Sequence, residues 1–114
     1  MPTEKDKGRI WDILDCARKV REYLGGMTYP EFLEDGRTQD AVIRNVQNIG
    51  EASSKISAEF KQSVPTVDWQ RAINMRHILV HDYDKVRLDV VWEAAKHDLP
   101  PLEAALRPWL PEID

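Results

Sequence analysis

The chain of 114 residues, with 42% hydrophobic and 32% charged side chains, has the size and composition of one folded domain spanning 1–114. Its formal net charge of -4 argues against the broad basic surface that grips nucleic acid without regard to sequence, so any RNA contact should be local. No apolar run is long enough to cross a bilayer, and the charged residues among the first seven are unlike a signal peptide, so we expect a cytoplasmic protein without membrane contact.

The first half of the chain predicts two long helices. Apolar residues recur at helical spacing from Glu4 to Leu24, and Gly25-Gly26 can form a left-handed C-terminal cap. Pro30 then opens a short turn in which Phe32 seals one end of the core. Gly36 breaks the chain, and Thr38 is the predicted N-cap of the second long helix, with Asp40 at its positive end. The apolar stripe of this helix is Ala41, Val42, Val46, Ile49, Ala52 and Ile56.

Gly50 interrupts the second helix at its middle. A glycine there costs about 1 kcal/mol relative to alanine. A close helix crossing at Gly50 would offset that cost, whereas an exposed turn would only be loosened by it. The sequence leaves both interpretations open.

The second half predicts two more helices. Asp68 can cap a third helix that begins near Trp69 and sends Ala72, Ile73, Met75, Leu79 and Val80 toward the core. Asp89 is the predicted cap of a fourth helix with Val90, Val91, Trp92 and Ala95 inside. Pro100-Pro101 should interrupt it before Leu102, Ala105, Leu106 and Leu110. The fold predicted is all-α: an up-and-down bundle of four long helices plus short helices.

Tryptophan and cysteine fit structural roles in this scheme. The helical positions of Trp11, Trp69, Trp92 and Trp109 favour packing in the core or at a dimer interface over stacking on bases. Cys16 is the only cysteine, which excludes an internal disulfide and a thiolate zinc cluster. We interpret it as a buried structural thiol, and we expect no cofactor.

Residues 76 to 83, Arg-His-Ile-Leu-Val-His-Asp-Tyr, gather the reactive side chains of the chain. Arginine offers a fixed positive fork for phosphate, and histidine exchanges protons near neutral pH. On a straight α-helix Arg76 and Tyr83 are nearly aligned, but His81 lies roughly 140° around from Arg76. Either the helix ends or distorts before His81, or one site draws residues from two copies of the chain.

Two alternatives use the same residues. His77 and His81 have the spacing of a helical zinc pair, with His97 or Asp82 as further ligands, although no His-Glu-x-x-His pattern is present. We expect no metal. In the structural alternative, Arg76 pairs with an acid, His81 caps a helix and Tyr83 closes the core.

The string Arg76-x4-His81-x-Tyr83 resembles the R-x4-H-x-Y motif of HEPN domains, in the form found in the HepT toxin family. The segment 44–52, RNVQNIGEA, resembles the Ile-Gly-Glu-Ala motif of the family's second helix, and Asp68-Trp69 followed by Met75-Arg76 fits its lead-in. The resemblance covers nearly the whole chain. It departs from the family after the tyrosine, where Asp84-Lys85 replaces an aromatic or glycine-bearing step.

The resemblance implies a homodimer with metal-independent endoribonuclease activity on RNA, and catalytic roles for Arg76 and His81. His77 is a candidate auxiliary residue, and a role on the helix surface is the alternative. The resemblance also implies a minimal nucleotidyltransferase antitoxin that adds AMP to Tyr83. Glu51 would pair with a cation near the site or with a lysine, and we favour the lysine. The alternative function is a catalytically silent HEPN module that binds a nucleotide or a nucleotidyltransferase, or a plain helical scaffold.

Overall fold

Two long helices organise the domain. The computed structural model describes residues 2–77 and 87–110, and every regular element in these ranges is helical. The long helices α1 (Glu4–Leu24) and α3 (Gly36–Ser54) make the most extensive helix–helix contact. The shorter elements around them are α2 (Tyr29–Leu33), α4 (Ala58–Ser63), α5 (Trp69–Asn74), a 3₁₀ turn (Met75–His77), α6 (Leu88–Glu93), a π turn (Ala94–Asp98), α7 (Leu99–Leu106) and a second 3₁₀ turn (Arg107–Trp109).

The predicted all-α fold is confirmed for the described residues. Helix α1 has the predicted bounds, and the third predicted helix begins at Trp69 as expected. Its continuation beyond His77 lies outside the described residues. None of the helices in the described ranges combines the length and hydropathy of a bilayer span.

The core lies between α1 and α3 and is closed by aromatic rings. Its fully buried members include Ile10, Ile13, Val20, Val42, Val46 and Ile49. Phe32 is also fully buried, and its ring centroid lies 5.3 Å from that of Trp92, so it seals one end of the core as predicted. Trp69 and Trp109 both pack on Phe60, whereas Trp11 is 48% exposed. Core packing is therefore confirmed for Trp69, Trp92 and Trp109, and for Trp11 a place at a dimer interface stays a prediction.

The prediction that Thr38 caps the second helix is wrong. Helix α3 begins at Gly36, and Asp35 is its N-cap. The Asp35 carboxylate accepts the backbone N–H of Thr38 at 3.1 Å and the Thr38 hydroxyl at 2.9 Å. Because Asp35, three residues before Thr38, accepts these donors of the first turn, Gly36 opens the helix instead of breaking the chain.

The prediction that Asp89 caps the fourth helix is also wrong. Helix α6 begins at Leu88 with Arg87 at the N-cap position, and within the described ranges no side chain bonds to its free amides. Asp89 instead forms an ion pair with Arg87 at 2.9 Å. Val90, expected inside, is 38% exposed, while Val91 is fully buried.

The two prolines of the last helix are accommodated without a break. The chain widens to a π turn before them, and the Leu99 N–H bonds to the Ala94 carbonyl. Pro100 and Pro101 then occupy the first turn of α7, where a helix has free amides in any case. The prolines therefore interrupt the α-helical pattern while the helical path continues.

Candidate functional site

The functional segment begins at a turn that faces outward. Asp68 caps α5 as predicted, accepting the backbone N–H of Arg71 at 3.0 Å. After Asn74 the chain tightens into a 3₁₀ turn, in which Met75 is buried. Arg76 and His77 are exposed. The buried methionine thus anchors the turn and leaves both polar side chains on the surface.

Gly50 fixes the position of this turn. A β-carbon built on Gly50 would lie 2.1 Å from the Arg76 backbone nitrogen and 2.8 Å from the Arg76 Cα. Real contacts of a β-carbon are never this short, so α3 and the turn meet backbone to backbone. The interpretation of Gly50 as a close crossing is correct, and the exposed-turn interpretation is wrong.

The Arg76 guanidinium lies between an acid and an imidazole. Its Nη1 is 3.6 Å from Glu51 Oε1, and its Nε donates a hydrogen bond to His77 Nε2 at 3.1 Å. The second contact requires a neutral His77 with its proton on Nδ1. Among the described residues, the cation that pairs with Glu51 is therefore Arg76, and the favoured lysine interpretation is wrong.

The guanidinium remains available to a ligand. The Arg76 side chain is 39% exposed and that of Glu51 is 52% exposed. An exposed pair of this kind stabilises a fold by about 0–1 kcal/mol, so a phosphate can replace the carboxylate at little cost. An open depression of about 410 Å³ lies in front, lined by Gln47, Asn48, Glu51, Arg76 and His77.

Two side chains in this depression were missed by the sequence reasoning. Gln47 and Asn48 precede Glu51 by four and three residues, which places all three on one face of α3. The signal was present in the helical spacing, counted back from the Ile-Gly-Glu-Ala motif. Uncharged amides are a weaker signal of a functional site in a sequence than an arginine and two histidines.

His81 and Tyr83, the predicted partners of Arg76, lie outside the described residues, as does Asp82. The angle between Arg76 and His81 was derived for a straight α-helix, but the segment 76 to 83 does not begin as one. The α-helical geometry ends at Asn74, and Met75–His77 form a 3₁₀ turn. The chain therefore tightens before Arg76, and both alternatives for bringing His81 to Arg76 concern residues outside the described ranges.

Metal and thiol chemistry gain no support from the described part of the chain. Within residues 2–77 and 87–110, no three His, Cys, Asp or Glu side chains gather as metal ligands, and His97 lies 4.0 Å from Glu93. The zinc alternative with His81 falls outside these ranges. Burial raises the pKa of the Cys16 thiol, against a weaker opposing effect of Lys19. A raised pKa lowers the thiolate fraction and agrees with a structural role.

Comparison with known proteins gives one family. The family model described as "Ribonuclease HepT-like" matches residues 13–108. A protein of Methanocaldococcus jannaschii that is named as a candidate RNase is 34% identical over 97 residues, covering 85% of this chain and 89% of the relative. A protein of Thermococcus cleftensis named as a probable ribonuclease HepT is 36% identical over 97 residues, covering 85% and 88%.

A more distant relative is named for its substrate. The mRNA nuclease HepT of Shewanella oneidensis is 24% identical over 119 residues, which cover 83% of this chain and 88% of the relative. No solved structure matches the chain with significance.

Proposed function

The chain belongs to the HepT-like ribonuclease family, and we propose that it is a metal-independent endoribonuclease whose catalytic residues are Arg76 and His81. The observation that carries this proposal is the position of Arg76. Its backbone is held close to Gly50 and its guanidinium is exposed, and it opens the R-x4-H-x-Y motif of a chain whose family match spans 13–108.

The proposed reaction breaks one phosphodiester bond by internal transfer. A general base takes the proton of the ribose 2′-hydroxyl, and the 2′-oxygen attacks the phosphorus. The bond to the 5′-oxygen breaks, and a general acid returns a proton to that leaving oxygen. The products carry a 2′,3′-cyclic phosphate and a free 5′-hydroxyl. Arg76 stabilises the negative charge that grows on the phosphate oxygens.

One histidine cannot be base and acid at the same moment. His81 fills one of these roles, and we propose that a second copy of the chain supplies the other, so that the active form is a homodimer. His77 is an auxiliary residue in this scheme. It accepts a hydrogen bond from Arg76 Nε and so orients the guanidinium toward the open side of the site.

The proposed regulation acts through Tyr83. A minimal nucleotidyltransferase antitoxin would add AMP to the phenolic oxygen, which places bulk and negative charge where the RNA phosphate must bind. The net charge of -4 suits docking on a basic partner of this kind. The protein would then act as the toxin of a pair in the cytoplasm.

Cleavage of a labelled RNA in excess chelator tests the activity. We expect cleavage by the wild-type chain and loss of at least about 100-fold in His81→Ala and Arg76→Ala, which is the usual size of a lost acid–base or electrostatic contribution. His97→Ala is the matched control, because His97 is an exposed histidine of the π turn and is not among the residues that line the depression at Arg76. Undiminished cleavage by His81→Ala would reject its catalytic role.

The same variants distinguish the proposed endoribonuclease from the alternative, a catalytically silent interaction module. Absence of cleavage by every variant, together with co-purification of a nucleotidyltransferase, would favour the interaction module.

The proposed modification of Tyr83 is tested by measuring the intact mass of the chain after incubation with that transferase and ATP. The added AMP should be lost in Tyr83→Phe and kept in Tyr23→Phe, since Tyr23 is an exposed tyrosine on α1.

A further inference from the structure

The exposed face of α3 continues the candidate site along the helix. Arg44, Gln47 and Asn48 have the i, i+3 and i+4 spacing of side chains on one helix face, and Glu51 follows at the same spacing. Arg44 and Asn48 are exposed, and Gln47 is half-buried. We call Arg44, Gln47 and Asn48 the α3 strip.

The α3 strip is continuous with the depression at Arg76. Gln47 and Asn48 line that depression together with Arg76 and His77, and Arg44 lies one helical turn further along α3. A nucleotide chain with one phosphate bound at Arg76 would therefore contact first two amides and then a second guanidinium as it runs along α3. This order matches the phosphate, base and phosphate of a nucleotide chain.

Arg44 is a cation without an acidic partner in the described residues. No ion pair to it occurs there, whereas Arg18, Arg71 and Arg87 each contact a carboxylate within 3.0 Å. An unpaired guanidinium binds phosphate without first losing an ion pair. Asp40 and Glu51 lie on α3 at the two ends of the α3 strip. Their negative charges confine the positive potential of the strip, which suits the local RNA contact expected of an acidic chain.

Gln47 and Asn48 offer what a base edge requires. Each amide presents a donor and an acceptor, the combination that pairs with an unpaired base. The Gln47 amide makes no hydrogen bond within the described residues, and the Asn48 side chain lies within hydrogen-bonding reach of the Cys16 thiol. Because amides carry no charge, they contribute discrimination between bases more than affinity.

We propose that the α3 strip is a binding site for single-stranded RNA, in which Arg44 holds a phosphate and Gln47 and Asn48 read the base between it and Arg76. The inference rests on the proposed ribonuclease function for the nature of its ligand. It adds to that function the residues that determine which sequence is cut.

Binding of RNA that cannot be cleaved tests the strip separately from catalysis. Short A, C and U homopolymers with 2′-O-methyl groups throughout lack the attacking hydroxyl, and fluorescence anisotropy gives their affinities over a range of salt. We expect the wild-type chain to discriminate between them. Asn48→Ala and Gln47→Ala should reduce this discrimination by at least about fivefold, the effect of one lost amide–base pair.

Arg44→Gln should act differently, by lowering the affinity for all three RNAs equally. The slope of log affinity against log salt should fall by about 0.7, as expected for one lost contact to a single-strand phosphate. Gln62→Ala and Lys5→Gln are controls of matched chemistry at exposed positions of α4 and α1, and neither should change affinity or slope.

Each outcome decides the inference whether or not the chain cleaves RNA. Loss of discrimination in the amide variants with a reduced slope in Arg44→Gln supports it, even if unmodified RNA stays intact and the proposed ribonuclease function fails. Unchanged binding in all three strip variants overturns it, as does a wild-type chain that binds none of the RNAs. Dissociation of a dimer by the strip variants, measured by sedimentation, would assign the strip to contact between copies and would also overturn it.

Discussion

Gly50 and Arg76 pack backbone to backbone, since a β-carbon on Gly50 would stand 2.1 Å from the Arg76 nitrogen. Gly50→Ala should therefore push the turn away from α3 and move the guanidinium. We expect destabilisation by about 1–3 kcal/mol from overpacking and a loss of RNA cleavage larger than the stability change explains. Urea unfolding and cleavage kinetics measure the two effects.

Gly8→Ala is the control for this prediction. Gly8 is an exposed glycine within α1, and no atom of the described part of the chain lies within 4 Å of a β-carbon built there. Alanine at that position should stabilise the helix by about 0.5–1 kcal/mol and leave cleavage unchanged. A Gly50→Ala protein that is as stable and as active as the wild type would show that the turn adapts to the methyl group.

Glu51 competes with RNA for Arg76, and this gives a second prediction. The carboxylate lies 3.6 Å from the guanidinium in an exposed pair, so its loss should change the free energy of unfolding by no more than about 1 kcal/mol. Glu51→Gln removes a negative charge beside the phosphate site and should lower KM for RNA severalfold. Steady-state kinetics with Glu59→Gln as an exposed control measure this change. A raised KM would instead assign Glu51 the task of positioning Arg76.

The sequence predicted the fold better than the site. Helical periodicity located α1 to its terminal residues, because a long amphipathic helix is determined by its own apolar stripe. The predicted caps failed at Thr38 and Asp89, because α3 begins three residues earlier and α6 two residues earlier than those caps require. The residue at which a helix begins depends on backbone geometry that periodicity does not contain.

The candidate site shows a different limit. The sequence located Arg76 and His77 by their chemistry, but the meaning of Gly50 depended on which backbone crossed it, a tertiary contact between residues distant in the chain. Helical spacing places Gln47 and Asn48 on the face of α3 that carries Glu51, but it does not place them beside Arg76. Their role follows from sharing a depression with Arg76, which no local pattern of α3 specifies.

The Cys16 thiol should be unreactive, which is the third prediction. Burial raises its pKa, so the thiolate is scarce at neutral pH. An aromatic disulfide reagent should therefore label the folded chain much more slowly than the urea-unfolded chain at the same pH. Cys16→Ala should keep RNA cleavage within about twofold of the wild type, because a structural thiol takes no part in the chemistry. Fast labelling of the folded chain, or loss of cleavage at unchanged stability, would contradict this.

Asp6 joins the start of α1 to the start of α4 and makes stability depend on pH. Its carboxylate is 2% exposed and accepts hydrogen bonds from the Ser57 backbone N–H at 2.8 Å, the Ser57 hydroxyl at 2.7 Å and the Thr3 backbone N–H at 3.2 Å. Burial alone would raise its pKa, but these hydrogen bonds outweigh burial and hold the pKa below its usual value of 3.8.

The fourth prediction follows from the sign of this shift. Because the native pKa of Asp6 is lowered, its stabilising contribution is complete above pH 3.8 and is lost as the pH falls through the native value. Asp6→Asn should lower the free energy of unfolding by about 1–3 kcal/mol at pH 7, since an amide cannot accept all three bonds. Urea titrations should show this difference shrinking below pH 3.8. Asp12→Asn, at an exposed position of α1, should change stability little at either pH. A difference for Asp6→Asn that stays constant into acid would mean that the charge of the carboxylate contributes nothing to the junction.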